Sequence, residues 1–445
     1  MKKIRLAQLT LFIFAVLIFS ACNQSQATSA PPKLPAPNDV APPMKIVAAN
    51  DTIRFLEDRI KHDPEDFIAL NKLSAEYIQR LRETGDITYL NLASRAAHAS
   101  LEVLPAEQNK GGLVALTQVE YSSHDFAAAR DHAAKLIQLE PNKGYLYQML
   151  GDALLELGQY EEAKAVFRQM EKLGGVQVLT HAAMQQRLAR LAMLHGDNPG
   201  AMRHFSTALK LVLTLPEPPR ETVAWCHWQL GETAFTVGDY EIAEQYYRSA
   251  LETFPDYFRA LASLGRVRAA RGDLTGAIEQ YEKVIRILPD PNFVAALGDL
   301  YKLAGRESDA AAQYALVEQI GHLNTVSGAL YNRQLALFYA DHDLKPEEAY
   351  ANAVKEYEVR RDIYGADAVA WTALKAGKLT EAQTAIKETL RLGTRDARLF
   401  YHAGMIARAA GNQTAARDYF KRALALNPQF DPLQVVIAKK AAIGD

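Results

Sequence analysis

The stretch Trp225–Pro255 reads WCHWQLGETAFTVGDYEIAEQYYRSALETFP. Within it, Leu230-Gly231 is followed by Gly238, Ala243, Tyr247, Ala250 and Pro255. The same order returns 34 residues later as Leu264-Gly265, Gly272, Ala277, Tyr281, Val284 and Pro289. It returns again as Leu297-Gly298, Gly305, Ala310, Tyr314 and Val317. A fixed period of this size marks an array of small units that stack to share one core. Each position has a physical reason. Gly231, like Gly151, Gly265, Gly298 and Gly404, leaves no side chain where two helices of a unit cross. Ala243 faces that gap, as do Ala129, Ala163, Ala201, Ala277, Ala310, Ala349, Ala382 and Ala416. Gly158, Gly196, Gly238, Gly272, Gly305, Gly377 and Gly411 supply the left-handed residue that ends a first helix. Pro64, Pro105, Pro141, Pro255, Pro289 and Pro428 stop the second helix, which proline cannot continue. Leu230, Tyr247 and Leu251 recur at helical spacing and fill the stack.

Period, order and residue types resemble the tetratricopeptide repeat, a 34-residue helix–turn–helix unit. The resemblance implies an all-α fold, a right-handed superhelical solenoid of about ten such units. It predicts a leading helix over 46–64, units one to four over 65–215, units five to ten over 216–428 and a C-terminal cap over 429–445. Between the fourth and fifth units, Pro216, Pro218 and Pro219 are read as a rigid joint. The eighth unit, around Ala349, is degenerate, with a longer loop from His342 to Pro346. At roughly 150 residues per domain, 445 residues predict about three domains. The repeat overrules that count in favour of one solenoid, in which each unit is expected to touch only its neighbours.

The first 21 residues read as an export signal. Lys2, Lys3 and Arg5 precede an unbroken apolar run from Leu11 to Phe19, too short for a membrane span of about 20 residues. The run closes with Phe19-Ser20-Ala21-Cys22, which resembles a bacterial lipobox, although Phe19 stands where that family prefers an aliphatic residue. The resemblance implies cleavage over 1–21 and lipidation of Cys22. Asn23 after the cysteine then implies an outer-membrane destination in a two-membrane bacterium, facing the periplasm. Residues 22–45 hold six of the 19 prolines and read as an extended tether. Removing the signal deletes three positive charges and no negative one, so the remaining body is acidic and the acyl chains, not a basic patch, hold it at the membrane.

Composition excludes several classes. Lys+Arg of 50 against Asp+Glu of 52 gives no basic excess for nucleic acid. Two cysteines, Cys22 and Cys226, exclude a disulfide scaffold and a Cys-rich zinc site. There is no H-E-x-x-H, G-x-x-x-x-G-K-[ST], G-x-S-x-G or C-x-x-C, and the histidines form no metal-spaced set. His124 and His132 read as solvated, and Cys226 beside His227 as a buried inert thiol. No catalytic residue, metal or cofactor is expected.

The resemblance also implies that first helices line a concave groove that takes a protein or peptide partner. Transferring the family's groove positions gives Arg187, Arg190 and Met193 in the fourth unit, and Trp225, Trp228, Glu232 and Phe235 in the fifth. The sixth adds Arg259, Ser263 and Arg266. Trp and Arg are enriched at interface hot spots. A second patch comprises Arg398, Tyr401, His402, Met405 and Arg408. The family's carboxylate clamp for chaperone C-termini has no match: Asn71 and Lys72 lack partners in the next two units. The expected function is a lipid-anchored, non-enzymatic interaction scaffold of the bacterial cell envelope. The alternatives are a structural spacer, or an envelope enzyme or transport subunit with its site in the groove.

Overall fold

The computed structural model describes residues 47–173, 177–326 and 333–443. They form 22 α-helices, with no strand among the described residues. Helix α1 (Val47–His62) leads into α2 (Phe67–Thr84), α3 (Thr88–Val103), α4 (Lys110–Ser122) and α5 (Phe126–Leu139). Then come α6 (Gly144–Glu156), α7 (Tyr160–Leu173), α8 (Val178–Leu194) and α9 (Asn198–Leu213). After the prolines follow α10 (Arg220–Thr236), α11 (Tyr240–Thr253), α12 (Phe258–Ala270) and α13 (Leu274–Ile287). Next are α14 (Pro291–Leu303), α15 (Glu307–Val326), α16 (Arg333–Asp341) and α17 (Pro346–Val359). The chain ends with α18 (Ile363–Lys375), α19 (Leu379–Thr389), α20 (Ala397–Ala409), α21 (Gln413–Leu426) and α22 (Gln434–Ile443). Ten antiparallel pairs, α2/α3 to α20/α21, thus stack in chain order between two single end helices.

One device shapes each pair. An added Cβ at Gly151, Gly231, Gly265, Gly298 or Gly404 would collide with the ring of Phe167, Tyr247, Tyr281, Tyr314 or Phe420 respectively. The glycine on the first helix therefore admits an aromatic ring from the second, and burying such a ring contributes roughly 2–3 kcal/mol. All nine repeat alanines are at most 1% exposed, so any larger side chain there would push the helices apart. The turn is built from two adjacent residues. A left-handed residue such as Gly238 (φ 78°) ends the first helix, and the following aspartate caps the next. Asp197, Asp239 and Asp273 each accept the backbone N–H three residues on, worth about 1 kcal/mol per cap.

The core runs unbroken through the prolines. Leu209 and Val212 of α9 pack with Val223, Cys226 and Leu230 of α10 in one buried cluster.

The stack also touches itself, which corrects the expectation of neighbour-only contacts. The Ile363 amide donates to the Tyr160 hydroxyl at 2.8 Å, 203 residues away. The Thr394 hydroxyl donates to the Leu194 carbonyl at 2.5 Å, and the Asn427 amide to the Phe235 carbonyl at 2.7 Å. The turns of the third, fourth and fifth pairs thus seat on the connections that follow the eighth, ninth and tenth. Gly158 and Gly196 lie against the Arg361 and Gly393 carbonyl oxygens, whereas Gly272, Gly305, Gly377 and Gly411 meet nothing within 4 Å. The repeat leaves its turns open, and this winding lays a second run of chain over three of them.

Candidate protein-binding cavity

The winding encloses a cavity of about 370 Å³. Helices α10, α12, α14 and α16 supply one wall; Arg398 of α20 and the segment Gln429–Pro432 supply the other. First helices reach it because second helices, carrying the alanines and aromatic rings, are consumed in packing.

Hydrogen bonds fix one wall. The Trp228 indole N–H donates to the Ser263 hydroxyl at 3.0 Å, and Ser263 donates to Glu232 at 2.8 Å. Glu232 also accepts the Tyr247 hydroxyl at 2.7 Å and an Arg266 nitrogen at 2.5 Å. Burial opposes the charge on Glu232, but the Arg266 guanidinium and the two hydroxyls hold its carboxyl below the usual range. Arg266 lies over the Phe235 ring at 4.0 Å. Arg259 lies over Trp228 at 5.4 Å and over Phe258 at 4.9 Å.

The remaining charges come from later pairs. His342 Nε2 lies 2.7 Å from Asp299, which also accepts the Tyr314 hydroxyl at 2.8 Å. Burial disfavours the charged imidazole, and Asp299 more than offsets it, so the His342 pKa is raised. Asp341 accepts the Trp371 indole N–H at 2.8 Å and the Gln434 amide at 2.7 Å. Asp431 pairs with Arg398 at 3.5 Å and accepts the backbone N–H groups of Leu433 and Gln434 at the start of α22. Burial raises the Asp431 carboxyl, with Arg398 opposing.

The sequence-expected residues divide among several places. Trp228, Arg259 and Arg266 line the cavity together, and Arg398, assigned to a separate patch, faces them from the other wall. Arg187 pairs with both Asp152 oxygens, at 3.0 and 2.5 Å, and Arg190 pairs with Glu156, so both belong to an ionic cluster away from the cavity. Trp225 packs edge-on against Phe205 at 5.8 Å. Phe235, Tyr401 and His402 are buried, which corrects their reading as groove surface: Phe235 supports Arg266, while His402 stacks on Trp371 at 4.3 Å and pairs with Asp367 at 2.9 Å. Arg408 is exposed, and Met193 and Met405 pack against core clusters. The reading missed Asp299, Asp341, His342 and Asp431, because only the winding brings the seventh and eighth pairs and the C-terminal segment around the sixth.

His132 is paired with Glu120 at 2.9 Å rather than simply solvated. Cys226 is fully buried, and burial pushes its thiol up to about 12. Among the described residues, no group of three or more His, Cys, Asp or Glu side chains is placed to hold a metal, and no helix is long and apolar enough to cross a membrane. Cys22, the signal over 1–21 and the tether over 22–45 lie outside the described residues.

Stacked helix pairs with a concave cavity define a helical-repeat solenoid. Family models described as tetratricopeptide repeat match residues 120–174, 180–256, 229–291 and 368–429, and the chain carries tetratricopeptide repeats. It is 36% identical over 119 residues to an FK506-binding protein-like protein of Mus musculus, covering 26% of this chain and 33% of that one. It is 23% identical over 282 residues to the TPR repeat-containing protein YpiA of Bacillus subtilis (strain 168), covering 62% of each. The chain thus spans about a third of the first relative's length and under two thirds of the second's. Among solved structures it is similar to a human IFIT1 dimer with m7Gppp-AAAA, at 15% identity and a TM-score of 0.45 over 77% of each chain.

Proposed function

We propose that the protein is a non-enzymatic interaction scaffold of the bacterial cell envelope. Lipidated Cys22 tethers it to the membrane, and its cavity receives a polypeptide segment of a partner. Tetratricopeptide repeats generally bind protein partners. The observation that carries the reading is the convergence of Trp228, Arg259, Arg266 and Arg398 on one cavity. Its 370 Å³ suits a few side chains of an extended segment rather than a folded domain. The export-signal pattern before Cys22 and the proline-rich segment after it support anchoring to the outer membrane, facing the periplasm. Crosslinking in intact cells, followed by mass spectrometry, tests the reading with wild type and Trp228→Ala side by side. Partners captured by the wild type and lost from the folded variant are expected. Absence of any captured protein leaves a structural spacer, and turnover of a substrate by purified protein would replace the scaffold with an enzyme.

A further inference from the structure

Three of the cavity's carboxylates are paired with cationic side chains. Glu232 is taken by Arg266, Asp299 by His342, and Asp431 by Arg398. Asp341 accepts from Trp371 and Gln434. Arg259 alone among the cavity's arginines has no described carboxylate within 4.0 Å of its nitrogens. Arg259 is half-buried and its guanidinium rests on the Trp228 and Phe258 rings, with Phe293 6.3 Å beyond Phe258. Aromatic faces stabilise the cation but leave its N–H donors free in the plane.

We propose that Arg259 recognises a side-chain carboxylate, so that the cavity takes an internal acidic segment of its partner. The residue beside that acid is aromatic or aliphatic and lies against Trp228 and Phe293. Arg259 selects the acid, since it is the cavity arginine with no described carboxylate, whereas each cavity carboxylate already accepts at least one donor. An additional cation would meet only Asp341, which holds two neutral donors on one oxygen, and would face Arg259. A chain-terminal carboxylate fits less well, because such groups are captured in nests of free backbone N–H groups. The cavity's main wall is made of helix flanks, whose N–H groups are spent within the helices. This inference rests on the reading of the cavity as the partner site.

The test uses the full chain in detergent and an array of hexapeptides. Acetylated and amidated peptides with Glu-Phe or Glu-Leu at the centre are compared with Gln-Phe and Gln-Leu versions. A third set carries Gln-Phe and a free C-terminal carboxylate. A charge-assisted hydrogen bond predicts a preference for Glu over Gln of about tenfold or more. Arg259→Gln should erase that preference, Arg259→Lys should keep part of it, and Arg417→Gln, at an exposed arginine outside the cavity, should leave it intact. Thermal melts confirm that each variant is folded. Equal binding of Glu and Gln peptides, a preference that survives Arg259→Gln, the free C-terminus binding best, or no binding at all would each overturn the proposal. If Trp228→Ala loses crosslinked partners while folded Arg259→Gln keeps them all, the cavity stands as the partner site and only the acidic segment is wrong. If both keep every partner, the cavity itself is the wrong surface.

Discussion

Asn427 donates its side-chain amide to the carbonyl oxygen of Phe235 at 2.7 Å, joining residues 192 positions apart. Its carbonyl oxygen accepts the Tyr240 hydroxyl at 2.5 Å, so one buried asparagine bridges the end of α10 and the start of α11. An unpaired buried amide costs about 1–3 kcal/mol, which makes this junction specific as well as adhesive. It holds the segment Gln429–Pro432 where that segment closes the cavity.

That junction changes the expected reach of a core mutation. Ala243→Leu overpacks a fully buried site among Tyr247, Phe235 and Ala224, costing ~1–3 kcal/mol. Hydrogen exchange should rise in α8 to α13 and also at residues 426–429, which rest on the disturbed turn. Protection unchanged at 426–429 would show that the self-contact does not transmit strain.

Two glycines of like backbone conformation separate turn geometry from self-contact. Gly272→Ala at φ 83° has open space around it and should cost about 1–2 kcal/mol, the ordinary left-handed penalty. Gly158→Ala at φ 74° also meets the Arg361 carbonyl oxygen and should cost a further ~1–3 kcal/mol. Equal midpoints in chemical denaturation would contradict the closed winding.

Glu156 should make stability depend on pH. Burial opposes its charge, and Arg190 and Arg360 overcome this, holding the carboxyl at about 2 instead of 4.5. A carboxyl lowered by folding contributes stability that is full above about pH 4.5 and lost as pH falls toward 2. The wild type should therefore lose stability over that window more steeply than Glu156→Gln. At neutral pH the variant should be less stable by roughly 3 kcal/mol, at the low end for a broken buried pair because Arg190 is 42% exposed. Arg190→Glu, at a residue the sequence places on the groove, should destabilise the fold because it sets a carboxylate against Glu156.

Trp228→Ala removes a half-buried indole from the cavity wall and its bond to Ser263. As a hot spot it should cost about 2 kcal/mol or more of partner binding, roughly thirtyfold in affinity. Calorimetric titration with the crosslinked partner checks this, once circular dichroism shows the variant is folded.

Lipidation of Cys22 is tested by intact mass. Detergent-extracted protein should exceed the mass of residues 22–445 by its acyl chains. A soluble product with an unmodified N-terminus would overturn the anchor and implicate Phe19.

Sequence alone determined the repeating unit, because its constraints are local. Gly231 must admit Tyr247 sixteen positions on, and Ala243 must let two adjacent helices touch. A left-handed glycine followed by a capping aspartate writes each turn into two neighbouring residues. Trp228, Arg259 and Arg266 came instead from transferring the family's groove positions onto first helices, and the structure lines one cavity with all three. Tertiary structure alone decided how the units wind. Small rotations between successive pairs accumulate until the turn at Gly158 meets Arg361, and no single unit encodes that sum. The winding brought Arg360 onto Glu156 beside Arg190, and placed Arg398 and Asp431 around the same cavity as Arg259.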